Sequence, residues 1–122
     1  MQLNNSSFVS TYLRFLQLVS AFEFLPIGKE MDANESALLE AVVLRWHEKN
    51  PMTVREAINL AALGSPATLH KRITRLREKE MLSTLNREGD RRAKFLVPTE
   101  LALDYLNKLG QFMQQAQVEP SV

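Results

Sequence analysis

The sequence predicts a mainly α-helical chain with one small β-hairpin. Three observations carry that expectation. Apolar residues recur at helical spacing over 6–25, 32–48 and 99–117. Every helix start after the first is marked by a capping residue: Asp32, Thr53, Ser65 and Thr99. Between 82 and 98 the pattern turns to alternation around Glu88, Gly89 and Asp90, which suits a hairpin tip. The 122 residues fit one domain, small enough that association would help to bury its apolar surface. A hydrophobic share of 45% against 24% charged excludes wholesale disorder.

The first helix, Ser6 to Leu25, is apolar around most of its circumference, with Phe8, Tyr12, Leu13, Phe15 and Leu16 among many. A helix that coats its own domain needs only a stripe, so the rest is expected to pack on a second copy of the chain. A central helix of a monomeric core is the alternative. Pro26, Ile27 and Gly28 then form a connector. In the helix from Asp32 to Glu48, Asp32 and Glu35 have capping-box spacing. Leu38, Leu39, Val42, Val43 and Trp46 make its inward stripe, and Asn50 and Pro51 end it. Thr53, Val54, Arg55 and Glu56 form a second capping box, opening a helix that turns Ala57, Ile58 and Leu60 or Ala61 inward. Leu63 and Gly64 supply a turn.

Ser65 caps the next helix, with Pro66 at the first position, where no backbone donor is lost. Leu69, Ile73 and Leu76 face a core, leaving Ala67, Thr68, Lys71, Thr74 and Arg75 on the opposite side. Strands at 82–86 and 93–97 follow, and the tip from Arg87 to Arg92 is crowned by arginines. The last helix, capped by Thr99, carries Leu101, Ala102, Tyr105, Leu106, Leu109 and Phe112, and is expected to interleave with the first across a two-fold axis. Helix, short turn, capped helix and hairpin make a winged helix-turn-helix, with 32–98 as its reading core, a wing at 82–98, and dimerisation helices Ser6 to Leu25 and Thr99 to Gln117.

The charge distribution matches that architecture. Residues 65–98 hold nine Lys and Arg against four Asp and Glu, a local charge of +5, while the rest of the chain holds six against ten, −4. A positive half concentrated on a helix and a slim ribbon suits the phosphates of double-stranded DNA. The helix face has the residue types that meet thymine methyls and guanine acceptors in a major groove, and an arginine-tipped ribbon suits a narrow minor groove. The candidate DNA-contacting residues are Ser65, Pro66, Ala67, Thr68, His70, Lys71, Thr74 and Arg75 on the helix, with Arg87, Arg91, Arg92 and Lys94 on the wing. A solvated helix face and a hairpin kept soluble by its charges are the plainer alternatives.

The stretch from Glu35 to Leu109 resembles the multiple-antibiotic-resistance regulator (MarR) family of transcription factors. SPATLHKRITRLREKEML, the tip residues Asp90, Arg91 and Arg92, and Pro98 with Thr99 carry the likeness. The resemblance implies that Ser65 to Arg75 lie in the major groove and that Arg91 enters the minor groove. It also implies that Asp90 and Arg92 brace the wing or meet a phosphate, and that a ligand pocket lies between the dimer helices and the reading domain. Glu80 stands where such proteins usually have a helix-ending glycine, and Ala102 replaces another glycine. The chain is also shorter than typical members, mainly at its C-terminus.

Other chemistries find little support. Without cysteine there is no disulfide framework and no thiolate metal site. His47 and His70 lack ligand spacing, so no metal or cofactor is expected, and no nucleophile with a base or Gly-rich phosphate loop suggests an enzyme. A small aromatic effector could enter a crevice made by Phe8, Tyr12, Phe15 and Trp46, although aromatics at such spacing are more often core. Neither a signal peptide nor a membrane span is expected, which fits a cytoplasmic protein. The leading expectation is a homodimeric transcriptional repressor on a pseudo-palindrome. A winged-helix protein-interaction module and a replication or architectural DNA-binding protein of a mobile element are the alternatives.

Overall fold

Local capping chemistry sets most of the helix boundaries in the computed structural model, which describes residues 4–22, 31–87 and 89–117. The elements in order are α1 (Asn4–Ala21), α2 (Ala33–His47), α3 (Val54–Ile58), a 3-10 turn (Ala61–Leu63), α4 (Pro66–Glu78), β1 (Leu82–Arg87), β2 (Asp90–Pro98) and α5 (Glu100–Gln117). Both capping boxes form. Asp32 Oδ1 accepts from the Glu35 amide at 2.7 Å while Glu35 Oε1 accepts from the Asp32 amide at 3.0 Å. Thr53 and Glu56 repeat the exchange at 3.1 and 2.9 Å. That Thr53 N–H, and then Arg45, hold the Glu56 carboxyl below its usual range.

The core lies where α2, α4 and the wing root meet. Leu38, Leu39 and Val42 from α2 close on Leu69, Ile73 and Leu76 from α4, with Met81, Leu82 and Leu96 from the hairpin side. Burial of these apolar side chains is the main stabilising contribution. Antiparallel to α5 runs α1. Arg14 donates to the Ala116 carbonyl at 2.7 Å, and Phe22 meets Phe112 edge to face at 5.3 Å. The Lys108 ammonium lies over both rings, 5.7 and 5.8 Å from their centroids.

Four features depart from expectation. The first helix spans Asn4–Ala21 rather than 6–25, closing with a tightened turn in which the Phe22 amide bonds to the Val19 carbonyl. Phe24, Leu25 and the Pro26 to Gly28 connector lie outside the described residues. The third helix has only five residues. Asn59 donates its side chain back to the Arg55 carbonyl at 2.8 Å, and the chain turns again as a 3-10 segment that leaves Ala61 exposed while Leu60 packs on the core. At the hairpin, β2 begins at Asp90, so Arg91 and Arg92 belong to the strand and not to a six-residue tip. Gly89, at φ +82°, supplies the tight reversal. Asn86 pairs with Lys94 but Arg87 pairs with Asp90, so Arg91, Arg92 and Ala93 are extra on β2 and form a bulge.

The fourth concerns helix ends. Lys49 adopts a left-handed φ of +63° that its sequence does not mark, and Glu80, at the position expected to hold a helix-ending glycine, adopts +61°. Each sits in a Schellman arrangement: the Lys49 and Asn50 amides return to Trp46 and Arg45, and the Glu80 and Met81 amides to Arg77 and Leu76. A residue with a Cβ is disfavoured there by ~1 kcal/mol or more. Glu80→Gly should therefore raise stability by ~1 kcal/mol, seen as a melting temperature higher by a few degrees. An unchanged or lower melting temperature would mean that Glu80 is held by more than its backbone.

Candidate nucleic-acid interface

Burial of Leu69, Ile73 and Leu76 fixes the rotation of α4, and with it the outward face. On that face Ser65, Pro66, Ala67, His70, Lys71, Thr74 and Arg75 are exposed, and Thr68 is half-buried. The start of the helix is well tied. Ser65 Oγ accepts from the Thr68 amide at 3.2 Å and donates to Thr68 Oγ1 at 2.9 Å. Thr74 donates its hydroxyl to the His70 carbonyl at 3.1 Å, so that hydrogen is taken up within the helix. The structure thus gathers all eight expected helix residues along one side of α4, from its N-cap to Arg75. Of the wing residues, Arg92 and Lys94 are exposed on β2. The side chains of Arg87 and Arg91 lie outside the described part of the structure.

Two cations counted in the basic segment serve the scaffold. Arg72 is half-buried and donates Nη1 to the Leu63 carbonyl at 2.6 Å, pinning the helix-turn-helix turn from the inside. Gly64 makes room for it. Its φ of +151° excludes other residues in practice, and a Cβ there would stand 3.2 Å from Arg72 Nη1. Lys79, the C-cap of α4, places Nζ 2.6 Å from Glu35 Oε1. Glu35 is the one buried charged residue among those described. Its carboxylate closes the α2 capping box and holds the end of α4 at once. The second role has no local signal: Glu35 and Lys79 are 44 positions apart.

The end of α4 is also joined to α5. Thr99 donates its hydroxyl to the Glu80 carbonyl and accepts from the Ala102 amide at 3.0 Å, so one side chain caps α5 and ties it to the turn after α4. The expected aromatic crevice is not enclosed by this chain: Phe8 and Tyr12 are 77% and 59% exposed on α1, and Trp46 is half-buried on α2. No helix among the described residues is long and apolar enough to cross a membrane.

No protein-family model matches the chain, and no curated protein is similar to it. Solved structures do share its fold. The transcriptional regulator Tm0710 from Thermotoga maritima aligns with a TM-score of 0.61 at 18% identity, over 93% of this chain and 70% of that one. AbsC, a MarR family transcriptional regulator from Streptomyces coelicolor, aligns at 0.53 with 23% identity over 92% and 71% of the two chains. The PcaV transcriptional regulator from the same organism, solved with its natural ligand, gives 0.51 and 16% over 95% and 79%. The fold is the winged helix of MarR-type regulators, and the expected fold class stands.

Proposed function

We propose that this chain is a sequence-specific DNA-binding regulator of transcription, a binding protein and not an enzyme, which acts as a homodimeric repressor in the cytoplasm. The observation that carries the reading is the exposed face of α4, small at its capped start and basic at Lys71 and Arg75, standing beside a wing that bears Arg92 and Lys94. In this reading α4 lies in the major groove, where Ala67 and Thr68 meet thymine methyls and Lys71 and Arg75 reach guanine or phosphate. The wing lies in the neighbouring minor groove.

A second copy follows from the apolar surface that one copy leaves uncovered. Phe8, Val9, Tyr12, Leu13 and Leu16 are exposed along α1, and Met113 on α5. A patch of that kind on a chain of this size marks an association surface. In this reading two copies join through α1 and α5 and present their two α4 helices to one duplex. A two-fold pair of reading helices suits a pseudo-palindrome with half-sites about 34–36 Å apart.

Replacing Lys71 and Arg75 together by Ala tests the reading. Both are exposed, so the melting temperature should hold, while affinity for a selected duplex should fall on the order of tenfold or more per lost contact. Fluorescence anisotropy checks it. A variant that binds as tightly as the unaltered chain would remove the α4 face from the interface.

A further inference from the structure

The root of the wing and the start of α3 are held side by side. The Leu96 amide donates to the Met52 carbonyl at 2.8 Å, and Thr53 pairs with Phe95 as an isolated antiparallel bridge. Between them opens a cleft of about 760 Å³ lined by Thr53, Val54, Arg55, Arg92, Ala93 and Lys94. Three of these six residues are cationic and none is acidic. The cations come from two elements: Arg55 from α3, and from β2 Arg92 in the bulge and Lys94 at the paired position beside it. The bulge is what brings Arg92 to this cleft, because three extra residues re-aim the strand opposite Asn86 and Arg87. Sequence spacing gave Arg55 no role beyond its place inside a capping box.

We propose that this cleft holds a phosphodiester of the DNA backbone, with Arg55 as the cation that faces Arg92 and Lys94 across it. The proposal rests on the DNA-binding reading above. A duplex that seats α4 in its major groove and the wing in the adjacent minor groove carries one sugar-phosphate strand across the surface joining the two. The junction of α3 and the wing belongs to that surface, since α3 packs on α4 and borders β2. Guanidinium groups suit a diester because their planar donor fork matches two phosphate oxygens. The hairpin register and the Leu96 to Met52 bond fix the backbone spacing of these cations before DNA arrives, so the order lost on binding is that of their side chains. Such a contact carries no base information: it sets the position of the reading helix along the duplex.

The test compares the unaltered chain with Arg55→Ala and Arg55→Lys on a selected duplex and on a random duplex, by fluorescence anisotropy across a salt series. Arg55→Ala should weaken both duplexes by the same factor and lower the slope of log affinity against log salt by about 1. Arg55→Lys should restore the slope. Arg55 is exposed, and an unchanged melting temperature confirms that the fold is intact. Equal slope and affinity in Arg55→Ala and the unaltered chain would overturn the cleft while leaving the DNA reading in place. An unaltered chain that binds neither duplex would overturn both. Inorganic phosphate at constant ionic strength separates a diester from the free anion. Competition no stronger than that of chloride supports the backbone contact, whereas selective displacement abolished by Arg55→Ala would assign the cleft to free phosphate and overturn the proposal.

Discussion

Leu69→Ala should lower unfolding free energy by about 2–5 kcal/mol, the range for deleting a buried leucine side chain where neighbours cannot collapse into the void. Leu69 is fully buried and sits in the first full turn of α4, against the α2 leucines and beside the Gly64 turn. Three buried apolar residues seat α4 on the core, so losing one removes a large part of what fixes its rotation. Urea denaturation measures the loss, with Leu44→Ala as the matched control. Leu44 is 62% exposed on α2 and should cost little, within about 0.5 kcal/mol. A loss under 1 kcal/mol at Leu69 would mean that α4 is not seated on this core. The reading face depends on that seating, so DNA affinity of the folded variant should fall as well, although Leu69 touches no groove.

Lys79→Met should destabilise the chain by about 1.5–3 kcal/mol, more than a surface ion pair contributes. The difference comes from what is left behind. Glu35 is almost completely buried, with its carboxylate facing the Lys79 ammonium at 2.6 Å, whereas the Lys79 side chain keeps about a quarter of its exposure. Removing the ammonium leaves a buried negative charge that keeps, among the described residues, the Asp32 amide as its partner. Glu35→Gln should cost less, since the amide oxygen can still accept from Asp32 N–H and the stranded ammonium can reach water. The double variant should therefore be more stable than the sum of the two single losses predicts, a coupling that denaturation of all four proteins measures. Additive losses would show that the pair contributes nothing as a pair.

The parts of this fold that were legible in the sequence are those set by neighbours in the chain. Asp32, Thr53, Ser65 and Thr99 cap helices because a short oxygen-bearing side chain can reach an amide two or three residues on, whatever the rest of the protein does. The inward stripe of α4 was legible because 3.6-residue periodicity is equally local. Glu80 was marked by its departure from a familiar pattern, and its left-handed backbone agrees. Lys49 adopts the same conformation with no such mark.

What escaped the sequence depends on distant partners. Arg72 and Lys79 read as members of a basic helix, yet one reaches back to Leu63 and the other to Glu35. Charge counting treats all cations alike, and only packing decides which of them face solvent. The wing shows the same limit. Alternation located both strands, but register is set by the turn and by the strand that follows, so the bulge at Arg91 to Ala93 and the cleft that it shapes with Arg55 had no local signature. The exposed apolar side of α1 was legible in kind, since a helix apolar nearly all round must be covered by something.

The most direct measurement is fluorescence anisotropy of the purified chain on duplex DNA from its own upstream region and on a scrambled duplex, across a salt series. A regulator that reads sequence predicts steep salt dependence and a preference for the upstream duplex on the order of a thousandfold or more. Weak binding without preference at any salt concentration would contradict the account, and would leave a winged helix whose basic surface meets something other than a DNA site.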